Sequence, residues 1–181
     1  MKKLFNILGF KVSWWACVFG ATSEFIYLGP VLMMLFLVIH FYLNSPSPAE
    51  IKLVITFAFL GTLIDTMMAL SGMVTYSGLY GSDIIIAPLW ITAMWCGFAA
   101  MVNHSMAWLK GRWLQSFVLG ALLGPVAYKA GEGLGAIQFN GENLEVTVML
   151  ALVWGISMPL IYWVNDKPVS YTHLTLPTTS S

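Results

Sequence analysis

Residues 51–73 read IKLVITFAFLGTLIDTMMALSGM, and they indicate the class of fold. The charged side chains of this stretch are Lys52 and Asp65, and nearly everything else in it is apolar or small. A helix needs about 20 mostly apolar residues to cross the hydrocarbon core of a bilayer, which is about 30 Å thick. The stretch is therefore predicted to be a transmembrane helix.

Five further stretches meet the same criterion, so the chain has six predicted spans. In chain order they cover about 4–21, 27–43, 51–73, 86–109, 114–130 and 146–164. Turn-forming sequences separate several of them, because Pro and Gly interrupt helices; NSPSP at 44–48 and NGEN at 140–143 are two such sequences. The predicted fold class is all-α: a polytopic integral membrane helical bundle of about six transmembrane helices, forming one domain at 1–167.

The composition of the whole chain agrees with this prediction. Apolar residues make up 59% and charged residues 9%, and the mean hydropathy is +0.80, whereas a soluble domain has about 25% charged residues. The lipid bilayer is therefore the predicted partner. Eight Lys and Arg and a formal net charge of zero argue against a nucleic-acid partner. Cys17 and Cys96 have no metal or redox spacing and are predicted to be small buried hydrophobic residues.

The placement of the basic residues predicts the orientation, because Lys and Arg are enriched in cytoplasmic loops. With the N-terminus inside, the cytoplasmic connections hold Lys2, Lys3, Lys52, Lys110, Arg112 and Lys167. The outer loops then hold acidic residues, namely Glu24, Asp83, Glu132, Glu142 and Glu145. The prediction is a multi-pass protein of the bacterial inner membrane with both termini in the cytoplasm. A cleaved signal peptide is the alternative for the first segment, but Lys11 interrupts its apolar core.

Residues 168–181 are predicted to be a non-native tail. They are rich in Thr, Ser and Pro, unlike the apolar chain before them. Residues 169–178 can be written codon for codon as GTC TCT TAT ACA CAT CTG ACG CTG CCG ACG, a common adapter of transposon-based sequencing libraries. The hypothesis is that a read continued into adapter and was translated, so His173 is given no role.

Charged groups at membrane depth are costly unless they are paired or face a cavity, so each is a site candidate. Helix rise places Asp65 at about 21 Å and Lys129 at about 22 Å from the cytoplasmic face. An Asp65–Lys129 ion pair is therefore predicted, with Glu132 one turn further out. The pair either belongs to a functional pocket or only fixes the packing of the third segment on the fifth, and the sequence leaves both open.

A second polar layer is predicted nearer the cytoplasm. Helix rise puts His104 at roughly 8 Å, Lys11 at about 10 Å and His40 slightly shallower than His104. Asn103 adjoins His104, so these four side chains are predicted to converge. Two histidines on different helices raise a haem hypothesis, but nothing else suggests a porphyrin pocket, and neither a metal nor a cofactor is predicted. The plain alternatives are a Lys11 that extends to the interface and interfacial hydrogen bonding for His40.

Small residues mark places where helices approach closely. Gly61, Asp65, Ala69 and Gly72 share one face of the third segment, and Gly120 and Gly124 lie one turn apart on the fifth. The interpretation is that the Asp65 face and the segment that carries Lys129 come together. The run GEGLGA at 131–136 superficially matches a dinucleotide-binding fingerprint, but it follows a membrane helix rather than a strand. It is predicted to be a flexible outer turn.

Several segments of the chain resemble a small proteobacterial inner-membrane family that is a domain of unknown function. The resemblance covers the chain to about residue 167 and rests on 60–65, 88–90, 95–109 and 124–139, with Asn103-His104-Ser105 and Gly124-Pro-Val-Ala-Tyr128 as its most specific parts. The family has no established activity, so no catalytic residue carries over. Its genes often neighbour ones resembling cyclopropane fatty-acyl-phospholipid synthase. The resemblance implies a role around membrane lipid modification or envelope stress, with lipid-modifying enzymes as partners.

Three function classes remain open, and the first is preferred. It is a non-enzymatic accessory component of phospholipid modification with a polar intramembrane pocket built from Asp65, Lys129, Asn103 and His104. The second is a small proton-coupled transporter with Asp65 as its ionisable centre, although no internal repeat is visible. The third is an intramembrane enzyme that uses His104 as acid or base, and it lacks a recognisable nucleophile or paired carboxylates.

Overall fold

A computed structural model describes residues 1–78, 80 and 85–166. Asp83, Lys167 and the predicted non-native tail lie outside the described residues. Six α-helices form within the described part: α1 Lys2–Ala21, α2 Leu28–Asn44, α3 Pro48–Leu70, α4 Leu89–Ala99, α5 Trp113–Gly133 and α6 Asn143–Asp166. The helical fold class is confirmed, and each predicted segment corresponds to one helix.

Three of these helices, α1, α3 and α6, are long and apolar enough to cross a membrane. The shorter helices α2 and α4 are apolar as well. Most of the side chains that the bundle exposes along α2 are large and hydrophobic, such as Val31, Leu35 and Val38. A surface of this kind is stable against lipid rather than water, so the fold is that of a membrane-associated protein.

The predicted continuous span at 86–109 is wrong in its second half. Helix α4 ends at Ala99, and the chain then follows turns until a short 3-10 turn at Ala107–Leu109. The polar residues after Ala99 bond to other helices: the Ser105 hydroxyl and N–H both donate to Asn6. Side chains that find such partners compete with regular helical bonding, which explains why the helix stops early.

The connection between α2 and α3 is a tight turn. Helix α2 ends at Asn44, and Ser45 has a left-handed φ of 49°. Helix α3 begins three residues earlier than predicted, because Pro48 starts it and the Ser47 hydroxyl accepts the N–H of Glu50 at 3.2 Å. The turn therefore places the last residues of α2 beside the first turn of α3.

Glycines allow close contacts between helices, among them one of α3 with α4 and one of α5 with α6. A Cβ added to Gly61 of α3 would lie 2.0 Å from the ring of Trp95 in α4, and one added to Gly124 of α5 would lie 2.3 Å from Trp154 in α6. The small-residue face of α3 thus packs on α4, and that of α5 packs on α6. The Asp65 face of α3 does reach α5 as predicted, but through the hydrogen bond from Tyr128 to Asp65 and not through the glycines of α5.

A small two-stranded sheet joins the loops after α3 and α5. Strand β1, Val74–Tyr76, pairs antiparallel with β2, Ile137–Phe139, and Tyr76 lies opposite Ile137. The segment at 131–136 was predicted to be a turn, and its second half is one: α5 continues to Gly133, residues 134–136 turn with Gly135 at a φ of 78°, and β2 begins at Ile137. This sheet holds Tyr76 over the end of α3.

Candidate functional site

Three ionisable side chains meet where α2 leads into α3, and we call them the His–Glu cluster: His40, Glu50 and His104. Nε2 of His104 lies 2.7 Å from Oε1 of Glu50, and Nε2 of His40 lies 3.3 Å from the same oxygen. The two imidazole rings are perpendicular with centroids 4.5 Å apart. One carboxylate oxygen therefore accepts hydrogen bonds from both histidines.

Asparagine amides fix the orientation of His40. Nδ2 of Asn6 and Nδ2 of Asn44 approach Nδ1 of His40 at 3.3 and 3.2 Å. Asn6 also donates to the carbonyl of Ala100, and Asn44 donates to the carbonyl of His40 at 2.8 Å, so both NH2 groups are oriented by a second acceptor. Nδ1 of His40 is thus an acceptor, and its Nε2 carries the proton that is donated to Glu50.

The cluster is closed on one side and open on the other. His40 and Asn6 are fully buried and Glu50 is nearly so, whereas the side chain of His104 is 20% exposed. The carboxylate is compensated by hydrogen bonds from both rings, as a buried acid requires. Within the described residues, access to the cluster is through His104.

Of the four side chains predicted to converge in the layer nearer the cytoplasm, two meet and two do not. His40 and His104 meet as expected, although His104 follows α4 rather than lying in it. The predicted convergence is wrong for Lys11, which is exposed on α1, and for Asn103, whose amide pairs with that of Asn165. A haem between the histidines is also excluded, because rings 4.5 Å apart that share Glu50 leave no space for a porphyrin.

Glu50 and Asn6 are the functional candidates that sequence reasoning missed. Glu50 lies in the first turn of α3, where an acidic residue is ordinarily explained by capping and the helix dipole. Its position three residues after Ser47 is that of a capping box, but its side chain turns inward to the histidines. Asn6 is a polar residue in an otherwise apolar segment, and this is the feature by which the sequence could have identified it.

Asp65 forms the second polar centre, at the opposite end of α3. Its carboxylate accepts hydrogen bonds from the Tyr76 hydroxyl at 2.6 Å, from the Trp95 indole N–H at 2.6 Å and from the Tyr128 hydroxyl. Burial raises the pKa of the Tyr76 phenol well above its ordinary value, so this hydroxyl stays protonated and donates. Asp65 thereby joins α3 to β1, α4 and α5.

The predicted Asp65–Lys129 ion pair is wrong. Lys129 lies on the exposed side of α5, where its ammonium group contacts Glu132 at 2.5 Å and the side chain of Asn143 at 3.1 Å. The adjacent residue Tyr128 reaches Asp65 instead. Lys129 directly follows Tyr128 in the chain, but the rotation of α5, which helix rise does not take into account, directs the two side chains to different neighbours.

A cavity of about 330 Å³ lies beside Asp65. Its walls come from α1, α4, α5 and α6, and they are almost entirely apolar. Rings of Trp95 and Tyr128, the same residues that hydrogen-bond Asp65, line it, and Trp95 stacks on Trp154 at 4.7 Å. The aromatic lining consists of Phe10, Trp14, Trp90, Trp95, Phe98, Trp108, Tyr128 and Trp154.

Comparison with known proteins places the chain in a family. Residues 3–160 match the model of a family described as protein of unknown function DUF2878. The chain belongs to the DUF2878 family. No curated protein and no solved structure matches it.

The DUF2878 match confirms the resemblance to a family of unknown function, and it includes both polar centres and the cavity. Because the activity of the DUF2878 family is unknown, the chemistry has to be inferred from the residues. The His–Glu cluster presents two imidazoles and a carboxylate to one point. The Asp65 centre, by contrast, is saturated by neutral donors and supports the wall of an apolar cavity.

Proposed function

We propose that this protein is a six-span protein of the bacterial inner membrane that binds a lipid hydrocarbon chain in its interior cavity, as an accessory component of membrane lipid modification or the envelope stress response. The observation that carries the proposal is the apolar, aromatic-lined cavity among membrane-type helices. The gene neighbourhood implied by the family resemblance supports the link to lipid modification.

The size of the cavity supports a bound ligand. Small-molecule sites have volumes of about 300–1,000 Å³ and mainly apolar walls, and this cavity of about 330 Å³ falls in that range. If the cavity stayed empty, its apolar lining would lose the packing contacts that a buried surface normally makes. An apolar occupant is therefore expected.

The chemistry and position of the cavity favour a hydrocarbon chain as the occupant. Its walls offer rings and aliphatic groups and few polar atoms, which excludes a charged headgroup from its interior. Trp108 and Leu123, 55% and 59% exposed, lie at its edge. Such exposed apolar residues fit an opening toward the acyl chains of the bilayer.

The test is a substitution that fills the cavity. Ala127 lines the cavity from α5, so Ala127→Phe places a ring inside it. Ala130→Phe is the matched control, because Ala130 is exposed on the same helix and is outside the lining formed by the described residues. After purification in mild detergent, native mass spectrometry measures the lipid retained by each variant.

We expect wild type and Ala130→Phe to retain lipid and Ala127→Phe to lose most of it. Equal retention by all three proteins would refute the proposed cavity ligand. The accessory role is tested separately, by lipidomics of a deletion strain complemented with wild type or Ala127→Phe. Acyl-chain composition should change on deletion and be restored by wild type alone; an unchanged composition on deletion contradicts the accessory role.

A further inference from the structure

We propose that His40, Glu50 and His104 form a binding site for a divalent transition-metal ion such as Zn²⁺. The inference is independent of the proposed lipid ligand, because the His–Glu cluster shares no residue with the cavity lining. It also departs from the sequence, whose histidines and cysteines show no metal-binding spacing. The ligands come from α2, α3 and the segment after α4, which only the fold brings together.

The spacing of the three ligand atoms fits an ion. One nitrogen of each histidine and one oxygen of Glu50 all lie within 4.8 Å of one another. With bonds of about 2.0–2.2 Å, ligands at tetrahedral or octahedral angles are roughly 3.0–3.5 Å apart. The His40–Glu50 distance of 3.3 Å is already in that range, and the His104–Glu50 distance of 2.7 Å needs to widen slightly.

The donor set selects the class of metal. Two imidazoles and one carboxylate are the protein ligands of several zinc enzymes and of non-haem Fe(II) sites, and both leave coordination positions open. Mg²⁺ and Ca²⁺ prefer oxygen ligands and would find a single carboxylate here. The partial exposure of His104 leaves one side of the site accessible to water or to a polar ligand.

Binding also requires a change in the tautomer of His40. In this structure Nε2 of His40 carries a proton, because Asn6 and Asn44 donate to Nδ1. An ion at Nε2 moves that proton to Nδ1, which then needs an acceptor, as metal-bound histidines generally have. Asn44 supplies it when its amide rotates to present Oδ1, since this side chain is only half-buried at the end of α2. Asn6 then loses its hydrogen bond to Nδ1, while Ala100 and Ser105 continue to hold its amide.

The experiment measures metal binding by the full chain, purified in detergent with a tag that contains no histidine. The protein is stripped with a chelator and titrated with Zn²⁺ by calorimetry, and with Co²⁺ by its visible absorption. We expect stoichiometric binding by wild type. For Glu50→Gln and His104→Ala the affinity should fall by at least the roughly 10- to 100-fold that loss of a residue supporting a metal ligand costs.

A matched control removes a carboxylate elsewhere. Glu24→Gln changes an exposed glutamate that is not part of the His–Glu cluster, so it should bind like wild type. Glu50→Gln keeps an oxygen that accepts from the histidines, so its metal-free Tm should stay close to that of wild type while the Zn²⁺-induced rise in Tm disappears. Absence of saturable Zn²⁺ binding by wild type, or equal binding by Glu50→Gln, overturns the proposal.

Discussion

At the scale of single residues, Asp65 shows how a carboxylate can be buried in a helical bundle without a cation. Three neutral donors from three elements satisfy it, and hydrogen bonds to an ionised acceptor are stronger than those between neutral groups. The arrangement favours a structural role over the proton-coupled transporter hypothesis, in which the carboxylate exchanges partners during each cycle. The two roles make different predictions for the same substitution.

We expect Asp65→Asn to lower the free energy of unfolding by about 2–3 kcal/mol, because an amide NH2 would face donors that now bond to a carboxylate. Tyr76→Phe removes one of the three donors and should cost about 1 kcal/mol. Reversible unfolding in mixed micelles measures both. A stable, fully folded Asp65→Asn protein would contradict the structural role and would favour the transporter hypothesis.

At the scale of elements, glycine positions decide which helices pack closely. Gly124 of α5 lies against Trp154 of α6, whereas Gly133 near the end of the same helix has nothing within 4 Å of its missing Cβ. The first glycine is therefore required by packing and the second is not. Both carry an ordinary helical backbone, because neither has a positive φ.

This contrast predicts that the substitution of glycine by alanine has opposite effects on stability at two positions of α5. Gly124→Ala should destabilise the protein by about 1–3 kcal/mol, because a methyl group must displace the Trp154 ring. Gly133→Ala should be neutral or stabilise by up to about 1 kcal/mol, because alanine is the better helix former. Thermal unfolding in detergent compares them. Similar losses at both positions would show that the α5–α6 contact is not this close.

At the scale of the whole molecule, the proposed topology gives the two polar centres different surroundings. Both termini and the connections near residues 48 and 112 would be cytoplasmic, which puts the His–Glu cluster near the cytoplasmic face. Asp65 and the β1–β2 sheet would lie toward the opposite face. The Lys110–Asp166 ion pair at 2.8 Å then joins two segments on the cytoplasmic side.

Reporter fusions test this topology directly. Fusions after residues 48 and 112 should be active with a cytoplasmic reporter, and fusions after residues 24 and 141 with a periplasmic one, because Lys and Arg are retained inside. Activity of a periplasmic reporter fused after residue 48 or 112 would contradict the proposed orientation. Cytoplasmic activity at 24 would instead show that α1 and α2 do not both cross the bilayer.

Sequence reasoning correctly predicted an apolar, helical chain, the bounds of its helices to within a few residues except in the second half of the 86–109 segment, and the meeting of His40 with His104. These properties depend on local composition and on helix rise, which can be read without knowledge of the fold. The partners became visible only in the folded chain: Glu50 with the histidines, Tyr128 rather than Lys129 with Asp65, and α6 rather than α3 against the glycines of α5. Which side chains become partners depends on the rotation of each helix and on turns such as the one at Ser45. Consecutive residues of a helix are rotated by about 100° but rise by only about 1.5 Å, so residues at nearly the same height face different neighbours.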